Sequence, residues 1–108
     1  MRPAFVLAVL LITACTATTG DGRRTANIDK SYKARDACLA QHASAGYGSD
    51  SDPDTLAHSI ALACSSETEQ LIATANRDGD SKVAAAIRQD SKFRAKEYVL
   101  KARGQLIF

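Results

Sequence analysis

The run Asp52-Pro53-Asp54-Thr55-Leu56-Ala57-His58-Ser59-Ile60-Ala61-Leu62-Ala63-Cys64 is the stretch whose reading decides the fold. Asp52 is placed to accept hydrogen bonds from the free amides of a helix start. Pro53 fits the first helical position because its missing N–H has no partner there, and Asp54 is favourable at the positive end of the helix dipole. From this start Leu56, Ile60, Cys64, Leu71 and Ala75 fall on one helical stripe, broken by Glu67, and the spacing predicts a helix ending near Asn76.

Working outward, Gly46-Tyr47-Gly48-Ser49-Asp50-Ser51-Asp52 has the glycines and short polar side chains of an exposed loop. Before it, Ile28 to about Ser44 reads as a first helix, with Ile28, Tyr32 and Leu39 along one side and Cys38 beside them. After the central helix, Arg77-Asp78-Gly79-Asp80 is a turn. Asp80 or Ser81 can cap a third helix from about Lys82 to Arg103, closed by Gly104. On that helix Ala86, Phe93 and Leu100 recur at sevens on one side, while Ile87 and Tyr98 lie on another. Asp90 with Arg94 and Glu97 with Lys101 are acid-before-base pairs at i, i+4. No strand-like alternation of useful length and no internal repeat is present. The expectation is an all-α domain in which a helix hairpin carries a third helix.

The N-terminal residues have a different character. Met1-Arg2-Pro3 places one positive charge ahead of the apolar run Ala4–Ile12, which is too short for a bilayer-spanning helix of roughly 20 residues. It ends at Ile12-Thr13-Ala14-Cys15, a tetrapeptide that resembles the lipobox of bacterial lipoproteins: an aliphatic residue, two small ones, then cysteine. The resemblance covers only these first residues. It implies cleavage between Ala14 and Cys15 and a diacylglyceryl group on the Cys15 thiol, and two or three acyl chains make a durable anchor. Thr16 rather than Asp after the cysteine resembles the sorting pattern for the outer membrane. The expected organisation is a signal peptide over 1–14, a lipidated flexible tether over 15–27, rich in Thr, Gly and Arg, and one small helical domain over 28–108. The expected location is the cell envelope, facing the periplasm from the outer rather than the inner membrane, or the extracellular side.

With Cys15 assigned to lipid, Cys38 and Cys64 remain as a pair in an oxidising compartment and are expected to form a disulfide. At 1.5 Å per residue the two cysteines stand about 9 and 16 Å from the loop joining their helices, a mismatch that a longer first helix or a tilt can absorb. On the loop-entropy model such a bridge contributes about 3.5 kcal/mol, a large share of the stability of a small domain.

Candidate chemistry is sparse. His42 and His58 are the only histidines; His42 shares a helix face with Cys38, while His58 points away from the core stripe. Neither has a nucleophile at a convincing spacing, so no catalytic residue, metal or cofactor is expected, and a small periplasmic hydrolase using a histidine is kept as the alternative. Asn76 to Asp80 places oxygen donors as a calcium loop does, but the sixth position is Ser81 and the twelfth Ile87, where glycine and glutamate are required.

Charge is uneven. Residues 36–70 hold six carboxylates and no Lys or Arg, whereas 82–103 hold seven basic residues and two acidic ones, although the whole chain carries only +2. These fields can attract within the domain, or the face carrying Arg88, Lys92, Lys96 and Arg103 can meet an anionic envelope polymer or envelope protein. Nucleic acid is not an expected partner for a chain read as exported. The C-terminal Gln105-Leu106-Ile107-Phe108 is expected to pack on the bundle. The functional expectation is an exported lipoprotein that is a non-enzymatic binding or accessory module.

Overall fold

The structure, a computed structural model, describes residues 19–46 and 50–105. The expected signal peptide, the Cys15 lipidation site and the tail Leu106–Phe108 lie outside these residues. Four helices make up the fold: α1 (Thr19–Ala45), α2 (Pro53–Ala63), α3 (Ser65–Ala75) and α4 (Ser81–Ala102). No strand occurs among the described residues, so the domain is all-α as the periodicities indicate. None of these helices is long and apolar enough to cross a membrane.

The start signals behave as their chemistry requires. One Asp52 carboxylate oxygen, Oδ2, accepts from the amides of Asp54 at 3.1 Å and Thr55 at 3.2 Å, with Pro53 opening α2. Asp80 caps α4 by accepting from Lys82 N at 2.8 Å. In the turn before it, Asn76 Nδ2 donates to the Asp80 carbonyl and the Asp80 amide donates back to Asn76 Oδ1. The residues that resemble a calcium loop in sequence thus spend their oxygens on an interhelical turn. Gly79 and Gly104 both adopt positive φ, near 70°, where a side chain would be strained, and Gly104 follows the C-cap of α4 as expected.

Two boundaries differ from the sequence reading. α1 begins at Thr19, so residues 19–27, assigned to the tether, are helical; the side chains of Gly22 to Asn27 are exposed. Such an extension requires no core, because each added residue completes an intrahelical hydrogen bond and Arg23, Arg24 and Ala26 are good helix formers. The helix expected from Pro53 to Asn76 is broken at Cys64, which ends α2 and begins α3 with φ −103° and ψ 20°. Its amide still donates to Ile60 and its carbonyl accepts from Thr68, so the bend costs little hydrogen bonding. Two serines, Ser65 and Ser66, which compete poorly for helix interiors, follow the bend.

The break redistributes the packing. Instead of a simple hairpin of α1 on α2, α2 lies chiefly along α4, and α1 lies against both α3 and α4. The pairs Ser31 with Thr74 and Cys38 with Cys64 run α1 and α3 antiparallel, whereas Asp54 with Lys96 and Ser51 with Arg103 do the same for α2 and α4. The expected bridge between Cys38 and Cys64 is present, with Cα atoms 6.0 Å apart. Around it Leu39, Ala43, Ala57, Ile60, Ala95 and Val99 form the buried core, with Leu56 and Tyr98 packed against them. Burial of Tyr98, followed by the negative charge of Asp36, holds its phenol pKa above the ordinary tyrosine value.

Of the two apolar sides that spacing offers on α4, the one with Ile87 and Tyr98 faces the core. Its buried residues are Ile87, Ser91, Ala95 and Val99, whereas Phe93 stands 61% exposed and Ala86 is exposed. Residues repeating every four positions, from Ile87 through Ser91 and Ala95 to Val99, form the buried seam.

The least expected buried residue is Arg35, with no solvent exposure at all. It lies on the same side of α1 as Ile28, Tyr32 and Leu39, at the position where that stripe should carry an apolar residue. Its Nε and Nη2 donate to Asp36 Oδ1 at 3.2 and 3.0 Å; Nη1 lies 2.9 Å from Asp90 Oδ2 and donates to Ser91 Oγ at 3.3 Å. The guanidinium carbon sits 5.3 Å from the centre of the Tyr32 ring. Arg94 completes the cluster, 3.1 Å from Asp90 and 3.8 Å from Asp36, so two arginines face two aspartates without net charge. Ser91 Oγ and Thr68 Oγ1 are hydrogen-bonded at 2.9 Å, which carries the network onto α3. Replacing Arg35 with alanine should therefore remove about 3 to 4 kcal/mol of unfolding free energy in urea titration, and Arg35→Met should cost distinctly less, because it fills the volume that alanine leaves empty.

Candidate functional site

Along the antiparallel pair α2 and α4, residues four apart on each helix project toward the same side: Asp54, His58 and Leu62 from α2, Arg88, Lys92 and Lys96 from α4. Between them the surface sinks into two adjoining depressions. One, of about 160 Å³, is lined by His58, Leu62, Ser65, Glu69, Arg88 and Lys92 among others. The next, of about 350 Å³, is lined by Asp54, Ala57, His58, Gln89, Lys92, Phe93 and Lys96. His58 and Lys92 belong to both, so the two form one open groove with these residues at its centre.

Each end of the groove is closed by an ion pair. Arg88 meets Glu69 of α3 through two parallel bonds of 2.9 Å, and Lys96 Nζ lies 3.0 Å from Asp54 of α2. The hydrogen bond from Arg88, reinforced by its charge, lowers the Glu69 pKa below the ordinary glutamate value, while the slight burial opposes that shift. Both pairs are at the surface, where such interactions contribute little stability, and their effect here is to fix side-chain positions. Lys92 makes no ion pair among the described residues. Beside it stand the two most exposed large apolar side chains among those residues, Leu62 at 62% and Phe93 at 61%.

The four residues of the expected basic face are thus brought to one side of α4, but they are not equivalent. Arg88 and Lys96 are engaged by the acidic residues of α3 and α2, and Arg103 donates to the Ser51 carbonyl at 2.9 Å. The attraction between acidic and basic halves therefore operates inside the domain, and Lys92 is left as the outward charge of the groove. Leu62 went unnoticed in the sequence, although its position two residues after Ile60 already puts it off the core stripe. Phe93, one of the residues recurring at sevens on α4, is an apolar wall of the groove.

The two histidines are also placed. His58 is in the groove. His42, exposed on α1, lies with the sulfurs of Cys38 and Cys64 so that the three donor atoms are all within 4.8 Å of one another. Sequence spacing showed only the i, i+4 relation of Cys38 and His42. The fold adds Cys64 by bending the chain there and bringing the bend against α1. A Cys–Cys–His triad is the one group of potential metal ligands among the described residues, and with the disulfide formed its sulfurs have no thiolate to offer.

No protein-family model matches the chain, and no curated protein or solved structure does either. The groove and the Cys38–His42–Cys64 corner have therefore to be interpreted from their own chemistry.

The Arg88–Glu69 pair gives a pH prediction whose sign follows from the lowered glutamate pKa. Proton binding to Glu69 disfavours the folded form, so the pair stabilises above the usual glutamate range and its contribution fades as pH falls through the folded value. NMR titration should show the Glu69 carboxyl titrating below the ordinary glutamate value, and Arg88→Met should return it toward that value.

Proposed function

We propose that the chain is an exported lipoprotein, cleaved before Cys15 and held in the cell envelope by lipid on that cysteine, whose helical domain binds an anionic partner without acting on it chemically. The lipobox Ile12-Thr13-Ala14-Cys15 supports the anchor. The bonded Cys38–Cys64 pair agrees with passage through an oxidising compartment. The observation that carries the binding role is the groove between α2 and α4, in which Lys92 stands between exposed Leu62 and Phe93.

Exposed apolar side chains supply affinity by leaving water, and a lysine next to them selects for negative charge and speeds encounter. An acidic envelope protein segment with apolar residues, or an anionic envelope polymer with apolar substituents, satisfies both. His58 is the residue that would favour the alternative, a small periplasmic enzyme. The acids closest to it along the groove walls, Asp54 and Glu69, are tied to Lys96 and Arg88, which leaves neither of them disposed to orient an imidazole as a base. The groove is also shallow and open, whereas catalysis needs convergent groups shielded from water.

Two measurements test the proposal. Protein produced in a bacterial host should carry the added mass of acyl chains and partition into detergent, and Cys15→Ser should do neither; an unmodified, aqueous wild type would remove the anchor. Envelope fractions retained by the immobilised domain should be lost in parallel by Lys92→Glu and Phe93→Ser, each weakening binding by roughly tenfold or more, with a salt dependence that Lys92→Glu reduces. Retention indifferent to both substitutions would dismiss the groove.

A further inference from the structure

Three donors with strong metal affinity converge at the corner where α1 meets the bend between α2 and α3. Cys38 and His42 occupy successive turns of one helix, and Cys64 sits at the bend, held on both sides by backbone hydrogen bonds to Ile60 and from Thr68. A tetrahedral zinc site, with Zn–S near 2.3 Å and Zn–N near 2.0 Å, places its donor atoms about 3.5 to 3.8 Å apart. The observed mutual distances, none above 4.8 Å, and the 6.0 Å separation of the cysteine Cα atoms leave only side-chain rotations between the bridged corner and that arrangement. Cys64 is buried, Cys38 is half-buried and His42 is exposed, so an ion reaches the sulfurs from the His42 side.

We propose that reduction of the Cys38–Cys64 bridge turns this corner into a binding site for a zinc-class divalent ion, with two thiolates and the His42 imidazole as ligands and a fourth position left to water. A dithiol reductant supplies the two electrons: its own thiols become a disulfide as the Cys38–Cys64 bond breaks, and both cysteines are left as thiols. The ion then replaces the two thiol protons, which pass to solvent. Two soft sulfurs and one imidazole are the donor set that suits zinc and the thiophilic metals rather than calcium or magnesium. The bridge and the ion exclude each other at one place, and either one ties α1 to the bend. This inference rests on the Cys–His geometry alone and stands or falls independently of the lipid anchor and the groove.

The test uses the full chain in detergent with Cys15→Ser, so that Cys38 and Cys64 are its only thiols. After reduction and removal of the reductant without air, Co²⁺ should bind one ion per chain, with thiolate-to-cobalt charge-transfer absorption and the visible bands of tetrahedral cobalt. Zn²⁺ should abolish both. The oxidised chain should show neither band, and His42→Ala should bind roughly 100-fold more weakly. Circular dichroism is recorded in parallel to follow the helices. No thiolate–cobalt absorption in the reduced chain, an affinity unchanged by His42→Ala, or a loss of helix on reduction that Zn²⁺ does not reverse would each overturn the proposal.

Discussion

Cys64 is the point on which three of the four helices depend. Its side chain is bonded to α1 through Cys38, while its backbone both ends α2 and starts α3. A continuous helix from Pro53 to Asn76 could have packed along only one direction. The bend lets α2 follow α4 while α3 follows α1, so a short chain encloses its apolar side chains from more sides than a plain hairpin could. The crosslink fixes where along α1 that bend must sit. In a domain whose buried core consists largely of alanine, valine, isoleucine and leucine, with no buried phenylalanine or tryptophan among the described residues, a covalent constraint supplies what a larger core would otherwise provide.

The second organising element is electrostatic. Arg35 is wholly buried, yet its guanidinium is met by Asp36, Asp90 and Ser91, and Arg94 balances the second aspartate. Such a cluster contributes less to net stability than apolar packing of equal volume, because desolvation offsets much of the attraction. What it does specify is register. The guanidinium has donors in fixed directions, and only one alignment of α1 against α4 brings Asp90 and Ser91 to them, with Thr68 of α3 joined through Ser91. Small, smooth helical seams such as Ser91, Ala95 and Val99 could slide by a turn without much loss of contact. The buried arginine makes that slip costly.

The same economy of charge shapes the surface. Arg88 and Lys96 are occupied by Glu69 and Asp54, which keeps the rims of the α2/α4 groove in place and leaves its middle to Lys92, His58, Leu62 and Phe93. That middle combines a lysine with no ion pair among the described residues and two large exposed apolar side chains. At the opposite end of the argument lies the Cys38–His42–Cys64 corner, where the residue that locks the fold also borders a ligand-competent imidazole. Stability and chemistry share the same two sulfurs.

Local rules carried much of the architecture. The helix starts at Pro53 and Ser81 follow from the capping aspartates Asp52 and Asp80, and the end of α4 from Gly104, because capping involves atoms only a few residues apart. The all-α class followed from apolar spacing, and the cysteine pair from the oxidising environment that the lipobox implies. Which of the two apolar sides of α4 is buried did not follow, because Ser91 and Ala95, which complete the inward side with Ile87, are not apolar markers in a one-dimensional pattern. Only Ser65 and Ser66 marked the bend at Cys64 locally, a weak signal, since the backbone hydrogen bonds on either side of it are still made. Nothing in the sequence singled out Arg35, whose burial against α4 depends on residues far along the chain, and His42 is 22 residues from Cys64 and meets it only through the bend. The amino-acid sequence settled the starts of α2 and α4 and the end of α4, because the capping groups there are neighbours along the chain. Tertiary structure alone decided which faces meet, which charges are buried and which donors converge, because these depend on distances between residues far apart along it.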